Sequence, residues 1–184
     1  ATALTGTVTG HDGTPLPDTA IRFLIAGAQE ATDTTDANGT FTLDIPPGTD
    51  GQLTLDRDVT PGDIAQIDVS DALNALRLAV GLEPSWGPAV PEHFVAADID
   101  GSGTVNVSDA LDILRIAVGL DTGDTQPRWV FGEVESTQAS ADAVPTIDTQ
   151  IDIAALVADS QITLQGILVG NMQEVLDSSP SGTV

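Results

Sequence analysis

The sequence predicts a mixed chain of several modules. A β-sandwich is expected over residues 1–56, a pair of loop–helix units over 57–121, and a short β-strand segment with a tail over 122–184. Three observations carry this. Apolar residues alternate in short runs before residue 56, the block 67–82 recurs at 105–120, and helical period is lost after 121.

The N-terminal strands come first. Leu4-Thr5-Gly6-Thr7-Val8-Thr9 alternates as a half-buried strand does. His11-Asp12-Gly13-Thr14-Pro15-Leu16-Pro17 is turn chemistry, and Ala20-Ile21-Arg22-Phe23-Leu24-Ile25 is a second strand. Asp36-Ala37-Asn38-Gly39 marks a hairpin turn before Thr40-Phe41-Thr42-Leu43-Asp44-Ile45. Pro46-Pro47-Gly48 ends that run, and Gln52-Leu53-Thr54-Leu55 closes the set. Short strands at this spacing predict a small sandwich.

The repeat follows. IDVSDALNALRLAVGL at 67–82 and VNVSDALDILRIAVGL at 105–120 agree at 11 of 16 positions, at an offset of 38. Each copy predicts a helix capped by Ser70 or Ser108, with Asp71 or Asp109 in its first turn and Gly81 or Gly119 as its stop. Leu73, Leu76 and Val80 share one helical face, as do Leu111, Leu114 and Val118, and both rows are expected to pack into the core. Residues 83–95 read as a Pro- and Gly-rich linker. Beyond 121, Trp129-Val130-Phe131, 149–153 and 161–169 are strand candidates, and 177–184 reads as a tail.

Composition narrows the function. The chain has 28 acidic residues, five Arg and no Lys, for a net charge of −23. Such a surface repels phosphate backbones and anionic lipid, which excludes nucleic-acid binding. It suits cation binding, or a solvated and self-repelling surface. With no cysteine there is no disulfide, zinc–thiolate site or thiol nucleophile. No apolar run reaches membrane-spanning length. The first residues read as a mature end or a cut from a longer chain.

Residues 98–109, DIDGSGTVNVSD, carry the chemistry. Calcium is a hard cation that takes six to eight oxygens, and a twelve-residue loop offers them at positions one, three, five, seven, nine and twelve. Here those positions are Asp98, Asp100, Ser102, the carbonyl of Thr104, Asn106 and Asp109. Gly103 stands at the sharp turn, and Val105 is the apolar anchor. Asp in place of Glu at position twelve, and neutral Ser102, predict weaker binding than in intracellular buffers.

The first copy is degenerate. Counting back from Asp71 places Thr60 and Gly62 at positions one and three, both poor ligands. With two extra loop residues, Asp58 becomes the first ligand, followed by Asp63, the carbonyl of Gln66, Asp68 and Asp71. That gives a second calcium site. The other reading is a metal-free loop that keeps the helix pair symmetric.

These motifs carry two resemblances. G-T-V-T, D-G-T-P-L-P-D-T, T-D-A-N-G-T-F-T-L and P-P-G resemble the carboxypeptidase regulatory-like domain, a transthyretin-like sandwich. The resemblance implies a non-catalytic accessory module of secreted proteins. D-x-D-x-S-G-T-V-N-x-S-D-A-L followed by L-R-x-A-V-G-L resembles the type I dockerin family over 57–121. That family implies two EF-hand-type calcium loops and a cohesin partner, read through Val69-Ser70 and Val107-Ser108. The whole order resembles bacterial surface proteins.

The sequence thus predicts a non-catalytic, calcium-stabilised extracellular module. It would build a surface assembly or filament by self-association, through strand addition at 4–9 and 162–169. The alternative is an adaptor for a cohesin-like partner. Asn38-Gly39-Thr40 and Asn106-Val107-Ser108 fit the glycosylation pattern, but read first as a turn and part of the loop. His11 and His93 read as turn or packing residues. No nucleophile–base pattern is present.

Overall fold

The computed structural model describes residues 1–172, so the tail expected at 177–184 lies outside the described residues. The chain is mixed and strand-rich. In order, the elements are β1 (Thr2–Gly10), β2 (Ala20–Ile25), β3 (Ala28–Thr34), β4 (Thr40–Ile45), β5 (Gly51–Asp56), α1 (Pro61–Ile64), α2 (Val69–Ala79), α3 (Pro91–Ala97) and α4 (Val107–Ala117). After these come β6 (Arg128–Phe131), β7 (Glu133–Val134), β8 (Ile147–Asp148), β9 (Ile151–Ile153) and β10 (Ser160–Val169). No helix among the described residues is long and apolar enough to cross a membrane.

The chain divides into two compact units, and neither is a continuous segment. Among the described residues, one comprises 1–58, 130–133 and 147–166, and the other 59–129, 134–146 and 167–172. The described residues of the expected segment 122–184 are divided between the two units.

In the first unit the predicted strands form as expected, because alternate residues turn inward. Leu4 and Val8 on β1, Ile21 and Phe23 on β2, and Phe41 and Leu43 on β4 are buried. The strands join two four-stranded sheets, ordered β4-β1-β10-β6 and β3-β2-β5-β9. Strand β3 has no apolar alternation and is mostly exposed, so its sequence carried no signal. It forms by antiparallel pairing with β2, with an irregularity between Phe23 and Leu24.

Strand addition at 4–9 and 162–169 needs correction. β1 is paired on both sides, parallel to β10 and antiparallel to β4. β10 in turn lies between β1 and β6. Neither strand has a free edge to offer a neighbour.

In the second unit the repeat gives α2 and α4, which pack directly on one another. Their N-caps are Asp68 and Asn106, not the expected Ser70 and Ser108. A cap must accept the amide of the residue two or three on while its own backbone is still extended, and residues 68 and 106 meet that condition. The C-termini are twins. Gly81 and Gly119 take φ of +78° and +77°, and the amides of Leu82 and Leu120 reach back to the carbonyls of Arg77 and Arg115.

The predicted core rows also need correction. Ala72, Ala75 and Leu78 are buried on α2, and Ala110, Ile113 and Ile116 on α4. Leu73, Leu76, Val80, Leu111 and Val118 are exposed, and Leu114 is half-buried. Both helices carry two apolar rows. Periodicity finds both rows but does not say which one is covered. The expected linker holds one more helix, α3, which begins at Pro91 and whose first turn is capped by His93 Nδ1 accepting from Val90 N (2.9 Å). His93 is buried, 4.9 Å from the ring of Trp86.

Candidate metal centre

The loop at 98–109 runs from the last turn of α3 into the first turn of α4. Asp98 is the C-cap of α3, and Asp109 lies in the first turn of α4. Two rigid ends thus hold the first and last carboxylates. Val105 is buried, and its amide donates to Ala141 O at 2.6 Å. Gly103 O accepts from Val144 N at 3.1 Å. The loop is fastened at its middle as well as its ends.

Between these anchors the carboxylates converge. Asp98, Asp100 and Asp109 place ligand oxygens within 4.8 Å of one another, and no other group of three or more His, Cys, Asp or Glu does so among the described residues. Backbone amides orient them. Asp98 Oδ1 accepts from Ser102 N (3.0 Å) and its Oδ2 from Gly103 N (2.9 Å). Asp100 Oδ1 accepts from Ser102 N (2.9 Å). Asp109 accepts from Asn106 N (2.9 Å) and Asp100 N (3.3 Å). Ser102 Oγ lies 3.2 Å from Thr104 O, which brings two more expected ligands together. Asn106 Oδ1 accepts from Ser108 N (2.8 Å), so its amide oxygen serves the helix cap.

The electrostatics show what the cluster lacks. Burial raises Asp109 to about 6, and the charges of Asp100 and Asp98 push the same way against amide bonds that pull it down. Burial also raises Asp98. Burial works upward on Asp100 too, but bonds from Ser102, with Asp98 and Asp109, outweigh it and hold Asp100 below the ordinary range. Hard oxygen donors at this spacing, crowded and partly desolvated, fit a divalent cation, which would relieve both the repulsion and the desolvation.

The first copy is built differently. Thr60, Pro61 and Asp63 form a helical turn, α1, where the second copy has its open Asp-x-Asp-x-Ser-Gly coil. Thr60 and Asp63 cap each other through Thr60 N to Asp63 Oδ2 (2.9 Å) and Asp63 N to Thr60 Oγ1 (3.2 Å). Asp63 Oδ2 also accepts from the indole Nε1 of Trp129 at 3.0 Å. Asp71, buried like Asp109, accepts from Asp68 N (2.7 Å) and from Met172 N (2.6 Å). Asp68 caps α2, and the Ser70 hydroxyl holds its carboxyl below the ordinary range. The Gln66 side chain accepts from Asn171 Nδ2 at 3.4 Å. Asp58 is exposed and belongs to the other compact unit. The structure does not bring Asp58, Asp63, Asp68 and Asp71 together as it does the second triad.

Sequence reasoning missed the partners of both loops. Arg128 Nη1 donates to Ile99 O (2.9 Å) and Nη2 to Asp98 O (3.4 Å), while the adjacent Trp129 serves Asp63. The one available signal was a lone cation beside a tryptophan in an acidic stretch. No family model, curated protein or solved structure matches the chain.

Proposed function

We propose that the chain is a non-catalytic, calcium-stabilised structural module of an extracellular, bacterial surface assembly. The convergence of Asp98, Asp100 and Asp109 in a loop fixed at both ends carries the reading. Ser102, the Thr104 carbonyl and Asn106 would complete the oxygen set. The two sheets are read as the accessory sandwich, and α2 with α4 as a dockerin-like pair. Three carboxylates against one divalent ion, with neutral Ser102, suit a site filled where calcium is abundant. In a chain without disulfides, metal supplies the cross-link between α3 and α4. Isothermal titration with calcium tests this: one site is expected, and it should disappear in Asp98→Ala. Absence of binding at millimolar calcium would refute it.

A second reading is kept because Val69, Ser70, Val107 and Ser108 are all exposed. These are the positions through which a dockerin-type adaptor would read a cohesin-like partner. Capture by a cohesin panel, lost on changing Val107 and Ser108 together, would favour the adaptor.

A further inference from the structure

The exposed apolar rows of the repeat find no use in the core. Val69, Leu73 and Leu76 of α2 face Val107, Leu111 and Leu114 of α4 across a groove of about 300 Å³, floored by Ala72 and Ala110. No charged residue lines it. Val80 and Val118 continue the two rows, 58% and 56% exposed. Val69, Leu73, Val107 and Leu111 are likewise 56%, 53%, 59% and 44% exposed, so the two rows form one contiguous apolar face, a kind of patch that marks an interaction surface.

We propose that this face is an interface between two copies of the chain. The proposal deepens the assembly reading above and rests on it. Three features choose a second copy. The first is symmetry. Both rows place their apolar residues at the same i, i+4, i+7, i+11 spacing, so a copy turned by half a revolution offers a matching row to each. The second is shape. Leucines flank an alanine floor, so the ridge of one copy has a groove to enter on the other.

The third is charge. A chain of net charge −23 repels its own copies over most of its surface. Two of its five Arg, Arg77 and Arg115, lie on these two helices. The acids there are few. Asp71 and Asp109 are buried, Asp112 is paired with Arg115 at 3.0 Å, and Asp68, the exposed cap of α2, lies at the end of the rows with its carboxylate bonded to Ser70. This is therefore a face on which two such chains meet with little like-charge repulsion. Apolar rows carry the contact, and the acidic surfaces beyond are screened within about 8 Å at physiological salt.

The test is sedimentation of the full chain across micromolar to millimolar concentration, in millimolar calcium, at low and high salt. A reversible dimer is expected, and it should tighten with salt as repulsion is screened. Leu73→Glu with Leu111→Glu should weaken it at least ~100-fold, since four charges would be desolvated per dimer. The isosteric pair Val69→Thr and Val107→Thr should weaken it several-fold and guards against misfolding. The pair Leu73→Glu and Leu111→Glu, outside the 98–109 loop, should keep the wild-type calcium affinity. A dimer that survives both pairs would overturn this face but leave assembly standing. A wild-type chain monomeric throughout would overturn both. So would a monomer that binds a cohesin-like protein through these residues, in favour of the adaptor.

Discussion

The two copies of the repeat began as the same unit and now close their loops by different means. The helices, their glycine stops and their apolar rows are nearly identical. Ile67 and Val105 are equivalent buried anchors, and Asp71 and Asp109 equivalent buried carboxylates. What differs is the source of positive charge facing those carboxylates. In the first copy, N–H groups of Asp68 and Met172 point at Asp71, and the Trp129 indole points at Asp63. In the second, Asp109 also accepts two backbone amides, from Asn106 and Asp100, but Asp98 and Asp100 crowd against it. One loop spreads its acids among donors of the chain, and the other gathers three of them where a cation could sit.

The sharpest break of that comparison is at Asp71. Removing its carboxylate in Asp71→Ala strands the amides of Met172 and Asp68, at about 1–3 kcal/mol each. We expect a loss of about 2–5 kcal/mol in denaturant unfolding. The loss should be the same with calcium and with chelator. A loss that appears only in calcium would mean that Asp71 is a ligand after all.

Chelation comes next. At calcium a hundredfold above its dissociation constant the site adds ~2.7 kcal/mol, or roughly 5–10 °C in a domain of this size. Differential scanning calorimetry should show that drop on adding chelator. Asp109→Asn should abolish it. The same change should raise the melting temperature of the metal-free protein, because an ionised Asp109 is held there against burial and two like charges. Asp71→Asn, its twin, should leave the calcium response intact.

How much of this was legible in the sequence follows from the kind of signal each feature leaves. The acidic triad of the second loop was legible in the sequence, because Asp98, Asp100 and Asp109 lie within twelve residues and the loop brings them together locally. The strands with alternating Leu, Phe and Ile were legible for the same reason. The pairing of residues 4–10 with 160–166 was not, since no local pattern records a partner so distant in the chain. Asp63 and Asp71 read as ligands because a carboxylate looks alike whether a metal or an N–H group answers it. Leu73 and Leu111 read as core because period gives the row and not the side that is covered.

Trp129 sharpens the comparison further. Trp129→Phe keeps most of the ring and deletes the donor to Asp63. A loss of about 1–2 kcal/mol is expected by denaturant titration, with one calcium still bound per chain. If the variant instead took up a second calcium, the first copy would be a metal site held shut by the indole.

The smallest effect is the pH dependence, and it separates the loops by sign. Asp109 has a folded-state value of about 6 against an ordinary 3.8, so the folded, metal-free chain takes up its proton earlier than the unfolded chain does. That term adds stability as pH falls from 7 through 6, is complete below 3.8, and is lost as pH rises through 6. Asp98 is shifted the same way, and Asp100 the opposite way. With calcium bound the trend reverses, because protons compete with the ion for Asp98 and Asp109. Melting curves with and without chelator should therefore converge between pH 7 and pH 5. In Asp109→Asn the upward slope of the metal-free curve should flatten. In Asp71→Asn it should persist, which would place the pH response in the second loop alone.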